Sequence, residues 1–298
     1  MPELPEVETV RRGLEAFTRH QPMVGGEVLL ARSLAYPTSP DVFCQHLSDR
    51  YLVAWQRRGK YLLGSLDNGA ILVVHLRMSG QLLWLTSPQP VCPHTRIRWF
   101  FGTGAELRFV DQRTFGRCWL LSAAEVLTTH IPALAALGPE PLSEAFTSEY
   151  LHAQLQRCRR PIKAALLDQG IVAGMGNIYA DESLFLASLH PLTPAYTLSP
   201  EQVGQLHQTV RYVLEAGIVA GGTTLRNFVS TLGVNGRYGA QAWVYGRKGQ
   251  PCRRCGTPIE RLRISGRSSH YCPRCQPLPE QWVSKGSEFP RRGDRAVE

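Results

Sequence analysis

From Val7 onward the apolar positions fall at Val7, Val10, Leu14 and Phe17, a 3-4-3 spacing that predicts a helix with one face to bury. Pro5, just ahead, suits a first helical position, where a fixed φ and a missing N–H cost nothing. From about Glu27 to Leu121 the period shortens to that of strands. Tyr51–Arg57, Tyr61–Leu66, Ile71–Leu76, Gln81–Leu85, Thr95–Phe101 and Glu106–Val110 are short runs of β character. They are broken by Arg58-Gly59, Asp67-Asn68-Gly69 and Gly102-Thr103-Gly104, which are hairpin turn chemistries. Many short strands at close spacing predict an antiparallel sandwich or barrel. Ile131–Ser143, with three prolines and a glycine, reads as a linker. Beyond it the period becomes helical over Ser148–Cys158, Pro161–Gln169, Asn177–Ala187 and Pro200–Gly217, the last N-capped by Ser199.

At 298 residues the chain is long enough for two domains with cores of their own. The longest apolar runs, such as Ala70–Val74, are too short to cross a bilayer, and no secretory signal precedes Glu3. A cytoplasmic, non-membrane protein is expected. Lys and Arg number 33 against 24 acids, a balance of +9 that suits a polyanionic partner without identifying one.

The eight cysteines fall into two groups. Cys44, Cys92, Cys118 and Cys158 are scattered, as reduced core residues would be. Cys252-x2-Cys255, sixteen residues, then Cys272-x2-Cys275 is the spacing of a four-thiolate zinc site. Four thiolates leave no open coordination position, so one structural ion is expected. Its surroundings are basic: Arg247 to Cys275 holds eight Lys/Arg residues against a single acid, Glu260.

The N-terminus offers a different chemistry. A small second residue normally lets Met1 be removed, which would expose the secondary amine of Pro2 beside Glu3, with Glu6 three residues on. An amine with a free-solution pKa of about 8 is partly neutral at pH 7 and can attack a carbonyl carbon. The same residues also describe an ordinary capped amphipathic helix with acids in its first turn.

The string Pro-Glu-Leu-Pro-Glu-Val-Glu-Thr-Val-Arg-Arg resembles the N-terminus of the bacterial formamidopyrimidine-DNA glycosylases, in which the terminal proline is the nucleophile. Endonuclease VIII shares the Pro-Glu start but not the Leu-Pro-Glu-Val-Glu-Thr that follows here. Gly174-Met-Gly-Asn-Ile-Tyr179 and the Ala-Asp-Glu-Ser-Leu-Phe after it look like the family's helix–two-turn–helix signature, which makes Asn177 a phosphate contact. The resemblance reaches Cys275. It implies that Lys60 contacts phosphate and assists β-elimination, and that Arg267, in Gly266-Arg267-Ser268, supports the second elimination. Glu3 would be the general acid/base on the sugar, and Glu6 would hold the N-terminus. Met78, Arg113 and Phe115 match the wedge that fills the gap left by a flipped nucleotide. His75, His94, Arg157 and Lys163 match DNA-contacting positions, and Thr223 and Thr224 lie in the loop that closes over the everted base. One departure is Thr114, where the family commonly has a basic residue; Ser79 occupies a variable position.

The expected fold is α+β: an N-terminal antiparallel β-sandwich with flanking helices (1–131), a linker (132–146), a helix–two-turn–helix DNA-binding domain (147–240), a β-hairpin zinc finger (241–276) and a disordered tail (277–298). The expected function is a monomeric bifunctional DNA glycosylase and abasic-site lyase of base excision repair. Its partner would be double-stranded DNA with oxidised purines or abasic sites. An enzyme like endonuclease VIII, preferring oxidised pyrimidines, and a non-catalytic zinc-ribbon nucleic-acid-binding protein are the rival readings.

Overall fold

The computed structural model describes residues 1–223 and 236–278. Thr224 and all but the first two residues of the expected tail lie outside them. The 3-4-3 stripe forms α1 (Leu4–Thr18), which buries Val7, Val10 and Leu14, while half-buried Phe17 stacks on Trp84. The N-terminal sheet contains β1 (Pro22–Val28), β2 (Leu34–Tyr36), β3 (Arg50–Arg58), β4 (Tyr61–Leu66), β5 (Ile71–His75), β6 (Gly80–Leu85), β7 (Thr95–Phe101), β8 (Glu106–Asp111) and β9 (Arg117–Leu121). Their order is β2-β9-β5-β4-β3-β1-β7-β8-β6, antiparallel throughout except for the parallel pair β2–β9.

β1 joins the two halves of this sheet. Pro22 and Met23 pair with β3, then Met23 to Val28 pair with β7, with a register break between Met23 and Gly25. Gly25-Gly26 breaks the apolar alternation there, which is why this strand is not legible in the sequence. One core draws on both halves: Leu52, Leu62, Leu72 and Val74 from one, Leu82, Ile97, Trp99 and Phe109 from the other. α2 (Pro40–Leu47), capped by Ser39, adds Phe43 and Leu47. The expected linker begins as a short helix, α4 (Pro132–Ala135), directly after another, α3 (Leu127–His130), at the end of the sheet unit.

A second core gathers α5 (Ser148–Gln156), α6 (Ile162–Leu166), α7 (Asn177–Leu186), α8 (Pro200–Val219) and the short α9 (Tyr238–Gln241). Leu4, from the start of α1, belongs to this core and not the first, so one helix is shared between the two units. α7 is buried from Ile178 to Phe185, its two acids included. The last unit is the hairpin β10 (Glu260–Ile264) and β11 (Arg267–Tyr271). Its two-residue turn, Ser265-Gly266, has both φ positive at 47° and 80°, the geometry a tight hairpin needs. Among the described residues no helix is long and apolar enough to cross a membrane.

Candidate active site

A cavity of about 620 Å³ lies where the three units meet. Met1, Pro2, Glu3 and Glu6 line it from the N-terminus, and Met78 and Arg113 from two loops of the sheet. Asn177, Thr223, Tyr245 and Arg267 close the other side.

Glu3 stands at the junction. α7 begins at Asn177 with glycine as its N-cap, so no side chain of its own satisfies the first N–H groups. Glu3 does so instead, accepting from Ile178 N at 3.1 Å and Tyr179 N at 3.4 Å. A Cβ on Gly176 would fall 2.0 Å from the Glu3 carboxyl carbon, so glycine is required for this cap from outside the helix. Leu4 N donates to Gly174 O at 3.0 Å, fixing the same loop from the adjacent residue. Burial raises the Glu3 pKa, opposed by the Lys60 ammonium and the Ile178 N–H.

Glu6 holds the segment from behind. Its Oε2 accepts from Glu3 N at 2.9 Å, and its Oε1 accepts from the Tyr179 hydroxyl and from Thr223 N, each at 2.7 Å. Burial, and then the neighbouring Glu3 carboxylate, push its pKa up to about 6. The Lys60 ammonium is buried behind the cavity wall and donates to Met175 O at 2.9 Å. Burial lowers its pKa to about 8, with Glu3 opposing and Arg267 adding to the fall. The terminal amine, here on Met1, is lowered by burial while Glu3 and Glu6 oppose. Pro2 itself is buried, and removal of Met1 leaves a secondary amine in a carboxylate-lined cavity.

The loops carrying Met78 and Arg113 are joined by a residue that sequence reasoning missed. Asp111, 1% exposed, accepts from the Ser79 hydroxyl at 2.5 Å, from Arg113 N at 3.2 Å and from Gly116 N at 2.7 Å. Ser79 also accepts from Arg113 N at 3.0 Å. Met78 and Phe115 are left 41% and 49% exposed, and the Arg113 guanidinium lies 4.8 Å from the Phe115 ring centre. Two large apolar side chains stand at solvent beside a cavity lined by both carboxylates and guanidinium groups, free to meet a ligand. Thr114, at φ 57°, takes a hydrogen bond from Arg32.

The four sulfurs of Cys252, Cys255, Cys272 and Cys275 lie within 4.8 Å of one another. The separations 255–272 and 255–275 are 3.5 Å and 252–275 is 3.9 Å. A tetrahedral zinc with bonds of about 2.3 Å needs sulfurs about 3.8 Å apart, so the set fits one ion with no open position. The hairpin beyond it carries Arg267 to the cavity rim. Much of the local positive charge serves another purpose. Arg247 donates to Trp243 O and Pro251 O, Arg253 to Ala240 O and Gln241 O, and Arg254 lies 4.6 Å from the Phe185 ring centre. These arginines hold the finger together.

Of the other expected contacts, His75 is buried edge-on to Tyr61 and accepts from Arg77 N; burial, then Arg77 and Lys60, pull its pKa to about 3. His94 and Arg157 are exposed away from the cavity lining. Lys163 is 1% exposed, its ammonium bonded to Asn177 O and Asp181, so it faces protein in this structure and not the open cleft. Tyr245, which lines the cavity, carried no recognisable pattern in the sequence, and Tyr179, which holds Glu6, lay within the Gly174–Tyr179 string without being given a role.

Residues 1–118 match the formamidopyrimidine-DNA glycosylase N-terminal domain, 137–229 its H2TH domain, and 249–278 the zinc finger found in FPG and IleRS. The chain is 70% identical to the formamidopyrimidine-DNA glycosylase of Thermosynechococcus vestitus, over 93% of this chain and 98% of that one. It is 54% identical to that of Acaryochloris marina, over 93% and 99%. Among solved structures, Lactococcus lactis Fpg in complex with abasic-site DNA superposes with a TM-score of 0.85 at 34% identity, covering 93% of this chain and 100% of that one. A Lactococcus lactis Fpg variant with Fapy-dG DNA gives a TM-score of 0.86 at 34% identity and the same coverage. The cavity, the helix capped from outside by Glu3 and the four-cysteine hairpin are thus those of a DNA glycosylase, and the chain belongs to the formamidopyrimidine-DNA glycosylase family.

Proposed function

We propose that the chain acts on double-stranded DNA as a glycosylase and abasic-site lyase, excising oxidised purines from the strand that enters this cavity. The observation that carries the reading is the convergence of Pro2, Glu3 and Glu6 with Met78, Arg113, Asn177 and Arg267 on one cavity. With Met1 removed, the Pro2 nitrogen attacks C1′ of the flipped nucleotide. The C1′–N bond to the base breaks and the base leaves with a proton; the C1′–O4′ bond then opens as O4′ takes up a proton, and an iminium joins the ring-opened sugar to the protein. Loss of a C2′ proton then expels the 3′ phosphate, and a further elimination expels the 5′ phosphate.

Glu3 is placed to move protons on the sugar, since burial raises its pKa toward the working range. Glu6 acts through position: the Tyr179 hydroxyl and Thr223 N hold it, and it holds the Glu3 N–H. Lys60 and Arg267 supply positive charge for the departing phosphates, and Asn177 binds phosphate at the start of α7. Met78 and Phe115 fill the vacated stack, His75, His94 and Arg157 contact the backbone, and Thr223 belongs to the loop over the everted base. Zinc supplies no chemistry; its four cysteines hold the hairpin that presents Arg267. The sheet unit (1–131), the helical unit (147–240) and the finger (241–276) work as one monomer in the cytoplasm.

The test is covalent trapping. Borohydride should fix the protein to lesion-bearing duplex through the Pro2 nitrogen, mass spectrometry should find Met1 absent, and Pro2→Gly should greatly reduce the yield. Attachment through a lysine, or none, overturns the mechanism.

A further inference from the structure

α7 carries two adjacent buried acids, and they are satisfied in different ways. Glu182 accepts from the backbone N–H groups of Trp243, Val244 and Tyr245 at 2.7, 2.9 and 2.9 Å, where Asp181 takes an ammonium. Asp181 binds a cation and a strand together. Its Oδ1 accepts from the Lys163 ammonium and from the Ser269 hydroxyl, the latter at 2.7 Å. Its Oδ2 accepts from His270 N at 2.9 Å and faces His270 Nδ1 at 3.2 Å. Lys163, reaching from α6, also donates to Asn177 O at 2.8 Å. The Asn177 side chain donates to Ser268 O at 2.9 Å, and its own Oδ1 is buried without a partner.

One carboxylate therefore ties α6, α7 and β11 to one another. The two cavity residues that face each other across this tie are Asn177, one helical turn ahead of Asp181, and Arg267, two residues ahead of Ser269 on β11. Filling the space needs no charge, because a buried ion pair can often be replaced by apolar side chains with no loss of stability. What the carboxylate adds is direction. It points one oxygen at the cation that holds the Asn177 carbonyl and the other at the backbone of the zinc hairpin.

We infer that Asp181 is a positioning residue for the DNA reaction, setting Asn177 and Arg267 at a fixed separation across the cavity by joining the zinc hairpin to the start of α7. The inference rests on the reading of the cavity as the DNA site. Asp181 touches no substrate; it acts through Lys163, Asn177 and the Ser268–His270 strand.

The experiment uses the full chain, zinc-loaded, on two duplexes: one carrying a reduced abasic site, for affinity, and one carrying a natural abasic site, for single-turnover cleavage. Asp181→Asn keeps the shape and leaves Lys163 without a counter-charge. Asp181→Glu keeps the charge and lengthens the tie by a methylene. Lys163→Met with Asp181→Leu replaces the pair by apolar groups. Each folded variant should retain one zinc per chain, bind the duplex more weakly and cleave it more slowly, by up to on the order of 10²-fold, as misplacement by about an ångström does to a rate. The products should also shift from β,δ-elimination toward β-elimination alone, because the second step depends on Arg267. A role in folding alone would change the yield of folded protein but not this ratio. If Asp181→Asn does not fold, Asp181→Glu and the apolar pair carry the same readouts. Any zinc-retaining variant with wild-type affinity and product ratio overturns the inference. A wild type that does not cleave abasic DNA sinks the cavity reading and this inference with it, whereas wild-type cleavage with unchanged variants sinks the inference alone.

Discussion

The two sides of the cavity are held rigid by different means. On the sheet side Asp111 joins the Met78 and Arg113 loops, and it sits at the edge of a core that takes apolar side chains from α1, α2 and both halves of the sheet. On the finger side the apolar cluster is small: Phe185, Val244 and Ile259 with the sulfur ligands Cys252 and Cys272. A unit of that size cannot bury enough apolar surface to fold unaided. Coordination, the Asp181 and Glu182 carboxylates, and Arg254 packed on Phe185 replace the missing core. On each side a buried carboxylate aims the functional groups. The sheet side takes its rigidity from area, and the finger side takes it from charge and metal.

That difference is broken most severely by removing a ligand. Zinc contributes roughly 10–16 kcal/mol to modules of this kind. Cys255→Ser should lose the ion and DNA binding while the N-terminal unit stays folded. Zinc content, near-ultraviolet circular dichroism and a binding isotherm measure the three. Normal DNA binding without zinc would make the two sides alike.

The same contrast explains what could be read in advance. Most strands of the sheet, the helices of the second unit and the zinc ligands follow from period and spacing, because each is a local pattern. β4 and β7 were legible to the residue, at Tyr61–Leu66 and Thr95–Phe101. β1 and β2 were not, since Gly25-Gly26 interrupts one and the other has only three residues. α2 went unread as well. In the site, Pro2, Glu3, Glu6, Arg113, Asn177 and Arg267 were singled out through resemblance, and the structure brings all six to one cavity. What stayed hidden was long-range. Glu3 capping a helix 175 residues away, Asp111 under two loops and Asp181 across three elements have no sequence period. Charge was legible as a total but not by use: the arginines at 247, 253 and 254 hold the finger.

A smaller break acts on the seam. The Lys60 pKa is lowered from 10.5 to about 8 by burial, so its ammonium costs the fold free energy wherever it is protonated. A folded-state pKa below the unfolded value contributes stability above about pH 10.5 that is lost as pH falls through 8. At pH 7 the cost is on the order of 3 kcal/mol. Lys60→Met should therefore raise the melting temperature at pH 7 while slowing strand cleavage, with the gain shrinking to nothing near pH 10.5. Met175 O keeps a donor, Gln169 Nε2 at 2.9 Å, so no carbonyl is orphaned. A variant less stable than wild type at pH 7 would mean that Lys60 binds the two units together and does not burden them.

Gly176→Ala tests the seam from the other side. Its Cβ would lie 2.0 Å from the Glu3 carboxyl carbon, and backbone holds both ends, so Glu3 must leave the α7 cap. Misplacing a reacting group by about an ångström can cost on the order of 10²-fold in rate. Single-turnover excision should fall by about that factor while zinc content is unchanged. An unaltered rate would show that Glu3 need not cap α7 to act.

The gentlest change sharpens the sheet side alone. Arg113 rests against Phe115 with its backbone N–H fixed by Ser79 and Asp111, so its guanidinium extends from an anchored loop into the cavity. Once a damaged purine is flipped out, its partner base is unpaired, and Met78 and Phe115 can fill the gap but cannot hydrogen-bond. A guanidinium carries only donors, in a fixed fork. Orphaned cytosine offers N3 and O2 as adjacent acceptors, which suits the fork. Adenine sets an amino donor beside one acceptor, so a guanidinium N–H would meet another donor. A bidentate contact of this kind discriminates by about 1–3 kcal/mol, or roughly 5- to 150-fold. Arg113 is accordingly expected to favour lesions opposite cytosine. That preference is chemically sensible, because excising 8-oxoguanine opposite a misinserted adenine would make the error permanent. Single-turnover excision of 8-oxoguanine opposite C and opposite A, in wild type and Arg113→Ala, measures it. The preference should collapse in the variant while zinc content and the α7 cap are untouched. Equal wild-type rates, or a preference that survives the substitution, would move base reading to the finger side of the cavity.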